Sequence, residues 1–221
     1  MTGSPSPIFV LCAITLVGLV TGSVARWFDA RLDVLLDRGF WAAIATSVEP
    51  ETDVSWNPAF EIGAILLFAL VAGRSESVQR MGAATGLSAT LILCAWTDWR
   101  YRILPDLLVL PLLVAGLLLA IGCPLYVDAG QSLCGIFLGL GMTSLVRLLG
   151  RRLHGCLGVG DIKLLAALGA WLGPIAVAII YLTSSMLMIV FLVCRRKEES
   201  RAWAFGPALS TVAVCYLLCF S

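Results

Sequence analysis

Gly158-Val159-Gly160-Asp161-Ile162-Lys163-Leu164-Leu165-Ala166-Ala167-Leu168-Gly169-Ala170-Trp171-Leu172-Gly173 is an apolar run entered through an aspartate. A carboxylate beside hydrocarbon is costly, so an ionisable residue in that position is by default a candidate functional group. A second one stands where another apolar stretch ends: Asp98, in Thr97-Asp98-Trp99-Arg100, closes the run Met81–Trp96. Two such aspartates, placed so that they could meet, point to acid–base chemistry at a membrane.

The rest of the chain supports the membrane half of that statement. Its 221 residues are 60% hydrophobic and only 13% charged, with a mean hydropathy of +0.97. A water-soluble domain of this length needs a larger charged share to cover its surface. Apolar runs recur from end to end, which predicts an all-α, polytopic membrane protein. No basic stripe interleaved with aromatics appears, so no nucleic-acid partner is expected. The N-terminus, Met1 to Pro7, has no basic residue before its apolar run, which favours a retained helix over a cleaved signal peptide. The eight cysteines include no C-x-x-C pair, and most fall in apolar runs, where a thiol packs as a small hydrophobe.

About eight transmembrane helices are predicted: Ile8–Trp27, Ala59–Ala72, Met81–Trp96, Leu104–Gly122, Gln131–Leu149, Ile162–Leu172, Ile175–Cys194 and Ala204–Phe220. Pro174 is the only clear break between the sixth and the seventh. With the N-terminus outside, thirteen of the fifteen basic residues fall in inner loops, and only Arg74 and Arg80 lie outside. Positive residues gather on the cytoplasmic side. Asp98, ending the third span, and Asp161, beginning the sixth, are therefore expected at the same, cytoplasmic, face.

Two carboxylates a few ångströms apart cannot both ionise cheaply and share a proton over a working pH range. Such a pair can take a proton from water as general base and protonate a leaving amine as general acid. That is peptide hydrolysis without a cofactor and without a metal. Serine or cysteine chemistry would want a base partner, and the one histidine, His154, sits in a basic loop. Gly158 and Gly160 admit two readings: bare backbone that lets an extended substrate approach, or a loop entering a helix whose N-terminus favours Asp161. Lys163 either shapes the local field and holds a substrate carboxylate, or anchors the cytoplasmic boundary. The rival from another class is a proton- or cation-coupled transporter, although no span carries a matching acidic residue on the external side. A non-enzymatic assembly subunit would have no need of two aspartates at one depth.

The residues Gly158 to Gly173 resemble the second aspartate motif of the bacterial type IV prepilin peptidases, in a form lacking the family's cysteine knuckle. Asp98, with Ile103-Leu104-Pro105-Asp106 and Pro111, resembles the first. Phe205-Gly206-Pro207 is similar to a late F-G-P of the family, and Gly18, Gly22-Ser23, Pro58 and Glu61 echo its N-terminal half. The resemblance implies that Asp98 and Asp161 are the catalytic pair, supported by Gly158, Gly160 and Lys163. It implies an inner-membrane enzyme that cuts the leader of prepilins or type II secretion pseudopilins at the cytoplasmic face.

Many bacterial members also methylate the new N-terminus from S-adenosylmethionine, and carry two C-x-x-C pairs in the first cytoplasmic loop. Here that loop, Phe28 to Pro58, contains no cysteine and no histidine, so it cannot hold zinc. Two readings stay open: methylation retained, with Glu61 serving it and S-adenosylmethionine as cofactor, or a peptidase alone. The expected organisation is a reduced N-terminal membrane segment, residues 1–80, followed by an aspartyl peptidase membrane domain, residues 81–221.

Overall fold

The computed structural model describes residues 17, 20, 21, 23, 24, 66–71, 73, 77–102, 104–150, 158–194 and 205–220. The chain divides into two compact units, Met1–Arg74 and Ser75–Ser221. In the first, the described residues are helical, and Thr21 returns its hydroxyl to the carbonyl of Val17. The first two expected spans lie largely outside the described residues, as do Glu61 and the loop Phe28 to Pro58. The structure therefore carries the all-helical expectation but leaves the count of eight spans unconfirmed.

The second unit is built of helices: α1 (Val78–Tyr101), α2 (Asp106–Gly122), α3 (Ala129–Gly150), α4 (Val159–Cys194) and α5 (Gly206–Phe220). Ser77 caps α1 by accepting the amide of Arg80, and Arg102 closes it in a left-handed conformation, its amide on the carbonyl of Asp98. Among the described residues, two helical stretches, Ala129–Leu149 and Val159–Phe191, are long and apolar enough to cross a membrane, and Asp106–Gly122 and Gly206–Cys219 are shorter apolar helices. Leu118, Ile121, Phe137, Leu148, Ile175 and Val193 all turn outward. An apolar exterior over an apolar interior belongs in lipid rather than water.

At 36 residues α4 would run about 54 Å unbroken, well beyond a hydrocarbon core of about 30 Å. It does not run unbroken. Gly173 has φ 79° and ψ −178°, a conformation that suits glycine alone, and Pro174 follows with no amide to offer the preceding turn. The break falls where Pro174 divides the sixth expected span from the seventh.

The first half of α4 packs along α3, and small residues permit it. The backbones of Gly135 and Gly169 touch, and a Cβ on Gly139 would lie 2.9 Å from the carbonyl oxygen of Leu165. Ser132 donates its hydroxyl to the carbonyl of Ala170 at 2.9 Å across the same seam. Small residues at helix crossings are how apolar helices gain contact when burial from water is not the driving force. Gly135 and Gly139 thus permit the close packing, whereas Gly141 faces open space. Trp171, near the end of its apolar run, packs inward. It is buried against Gly116 of α2, with Nε1 donating to the carbonyl of Leu112 at 2.7 Å.

The contacts sort the second unit into two ends. At one, Tyr126 donates to the carbonyl of Arg80, and Val127 packs against Gly173. At the other lie the end of α1 and the starts of α2, α4 and α5, where both aspartates are found.

Candidate active site

Asp98 occupies the last turn of α1, and both it and Thr97 are buried. Thr97 bends its hydroxyl back to the carbonyl of Leu93, satisfying itself within the helix. Asp98 instead reaches across to another element: its Oδ2 accepts the amide of Gly206, the first residue of α5, at 2.9 Å. The guanidinium of Arg102 lies within its electrostatic reach.

Asp161 stands in the first turn of α4 and is likewise buried, 6% exposed. Its Oδ2 accepts the amide of Gly158 at 3.2 Å, the return bond of a helix-capping arrangement. Capping accounts for one oxygen only. Oδ1 is buried with no hydrogen-bond partner among the described residues. A buried carboxylate oxygen left unsatisfied is rare in folded proteins and calls for a proton, a water or a substrate atom. Asp161 also feels the charge of Asp98, so the two carboxyl groups lie within electrostatic range of one another.

The glycines ahead of Asp161 have separable reasons. A Cβ at Gly160 would fall 2.6 Å from Cβ of Leu104, so bare backbone there lets the start of α4 close on the segment that follows α1. The contact is with the protein's own chain; room for a substrate strand was one of the two readings the sequence left open. Gly158 offers its amide to Asp161, and a Cβ there would stand 3.0 Å from Oδ2. This supports the capping reading for Gly158 without removing the carboxylate's second oxygen from play.

Lys163, two residues beyond Asp161, meets Asp106, eight residues beyond Asp98. Its Nζ lies 2.6 and 2.7 Å from the two carboxylate oxygens. Pro105 holds the N-cap position of α2 without a side-chain bond, and the Asp106 carboxylate that follows it pairs with Lys163. Gly206 was singled out in Phe205-Gly206-Pro207 but assigned no place beside Asp98. The signal was the motif itself; the contact needed the fold. Among the described residues no cluster of histidine, cysteine and acidic side chains could hold a metal ion. The described cysteines are free; Cys94 is buried, whereas Cys123, Cys134, Cys194, Cys215 and Cys219 are exposed, against the expectation that most would pack inside.

Residues 85–193, which contain both aspartates, match the model of the type IV leader peptidase family. Over that segment the chain belongs to the type IV leader peptidase family. Similar proteins named prepilin leader peptidase/N-methyltransferase include one from Neisseria gonorrhoeae, 34% identical over 156 residues, covering 69% of this chain and 54% of that protein. One from Aeromonas salmonicida is 34% identical over 167 residues, covering 73% and 57%. One from Klebsiella pneumoniae is 40% identical over 119 residues, covering 52% and 51%. The chain spans about half the length of the curated relatives it matches. No solved structure matches it.

Proposed function

We propose that this leader-peptidase segment is an aspartic endopeptidase, with Asp98 and Asp161 as its catalytic dyad, that removes the leader of type IV prepilins or type II secretion pseudopilins. The observation that carries the reading is the buried Oδ1 of Asp161, unpartnered among the described residues, within electrostatic reach of a second buried aspartate. A capping residue needs neither feature.

In this mechanism the two carboxyl groups hold one proton between them, because charging both at short range is costly. The ionised partner takes a proton from a water that adds to the scissile carbonyl carbon. The protonated partner hydrogen-bonds the carbonyl oxygen, and the acid proton then reaches the leaving amine as the C–N bond breaks. The amides of Gly158 and Gly206 hold one oxygen of each carboxylate, and the Lys163–Asp106 pair joins the start of α4, which carries Asp161, to the start of α2. The distribution of basic residues supports a site facing the cytoplasm of the inner membrane. The substrate is then a segment that enters from the cytoplasm and continues into lipid.

Methyl transfer from S-adenosylmethionine is a separate activity, suggested by the N-methyltransferase in the name of the relatives. Its candidate residue, Glu61, lies outside the described residues. The purified chain, incubated in detergent with a prepilin peptide, is expected to release the leader by a single cut ahead of the apolar segment. Intact peptide under conditions where the protein is folded would contradict the proposal, and labelled S-adenosylmethionine in the same reaction reads the second activity independently.

A further inference from the structure

Gly206 sits where α5 meets Asp98 of α1. Its amide donates to Oδ2 of Asp98 at 2.9 Å in a buried setting. A Cβ on Gly206 would lie 2.5 Å from that oxygen, 3.0 Å from Cγ and 3.2 Å from Cβ of Asp98. These distances are below ordinary van der Waals contact, and the atoms met belong to a short side chain held on a helix. Any side chain at 206 therefore turns or displaces the carboxylate.

The amide is itself firmly placed. The amide of Leu209 donates to the carbonyl of Phe205 at 3.1 Å, which starts the first turn of α5 around Gly206. The ring of Phe205 meets that of Tyr181 edge-on, with centroids 6.3 Å apart and planes inclined by 71°. Edge-to-face packing of this kind fixes ring orientation as well as contact. The donor is thus presented by a helix start pinned through an aromatic pair on α4, and Pro207 follows with a fixed φ suited to the first turn of a helix.

Resting on the peptidase reading above, we propose that Gly206 is a positioning residue for Asp98: its amide engages Oδ2, and its missing side chain leaves the carboxylate free to aim Oδ1 at the reacting water. The segment Phe205-Gly206-Pro207 then belongs to the active site through Asp98, without touching substrate. Orientation of a reacting group contributes heavily to rate, and small misplacements are expensive.

The test uses the full chain in detergent with a prepilin peptide, and measures kcat and KM across pH for Gly206→Ala, Asp98→Asn and Thr211→Ala. Thr211 is exposed on α5, donates its hydroxyl to the carbonyl of Pro207 within its own helix, and serves as the control for helix perturbation. Gly206→Ala is expected to lower kcat about ten- to a hundred-fold while KM stays within about three-fold. The acid limb of its profile is expected to move to higher pH, because a carboxylate that loses an N–H donor is less favoured in its ionised form. Thr211→Ala is expected to match the wild type. A Gly206→Ala enzyme with wild-type kcat and profile, alongside an inactive Asp98→Asn, would overturn this inference alone. So would a fall in kcat with an unmoved profile. An active Asp98→Asn would instead overturn the dyad.

Thermal unfolding reads the same contact when activity is too low to measure. Gly206→Ala is expected to lower the unfolding temperature in the wild-type background and to do so much less in Asp98→Ala, where the obstructed oxygens are gone. An equal loss in both backgrounds would overturn the contact.

Discussion

Lys163 bridges both carboxylate oxygens of Asp106, at 2.6 and 2.7 Å, and so joins the start of α4 to the start of α2 close to the two buried aspartates. The groups are 35% and 55% exposed. Ion pairs in that setting contribute at most about 1 kcal/mol and weaken with salt. Lys163→Ala and Asp106→Ala are each expected to destabilise by less than about 1 kcal/mol, with a double-mutant coupling of about 0.5 kcal/mol that fades at high salt. Unfolding in detergent at two ionic strengths measures it. A coupling several times larger would mean the pair is shielded from solvent far more than its exposure indicates.

The seam between α3 and α4 makes a sharper claim about stability. At Gly135 an added methyl meets the backbone of Gly169, whereas at Gly141 it meets nothing. Gly135→Ala is expected to cost about 1–3 kcal/mol through overpacking. Gly141→Ala is expected to be neutral or stabilising by up to about 1 kcal/mol, because alanine is the better helix former. Comparable losses at both positions would contradict the packing described.

Acid–base chemistry by two carboxylates has no step that requires a metal. Leader release is therefore expected to continue unchanged in the presence of EDTA. Loss of activity on chelation, with recovery on adding back a divalent cation, would place a metal in the reaction and count against the dyad as the sole catalyst.

Much of this arrangement was legible in the sequence, and the reason is local. Asp98 and Asp161 stand out because charge beside hydrocarbon is rare, and Pro174 marks the break in α4 because proline lacks an amide. What could not be read were pairings that depend on tertiary register. Gly206 is 108 residues from Asp98, and Lys163 is 57 from Asp106. Nothing in the composition of either segment announces its partner. Trp171 shows the same limit: an indole near the end of an apolar run resembles an interfacial anchor until Gly116 opens a place for it and Leu112 supplies an acceptor. Gly160 could be read as bare backbone for a substrate or as a loop entering a helix, and only the fold shows that the group it meets is Leu104.

The most direct test of the dyad is leader release by Asp98→Asn and Asp161→Asn, each measured alone against the wild type, with folding verified by thermal unfolding. Asparagine keeps the shape and removes the titrating group, so each variant is expected to lose at least about 100-fold in rate, the scale of general acid–base catalysis. Loss in both, with folding preserved, is the predicted result. Near wild-type cleavage by either single variant would contradict the account.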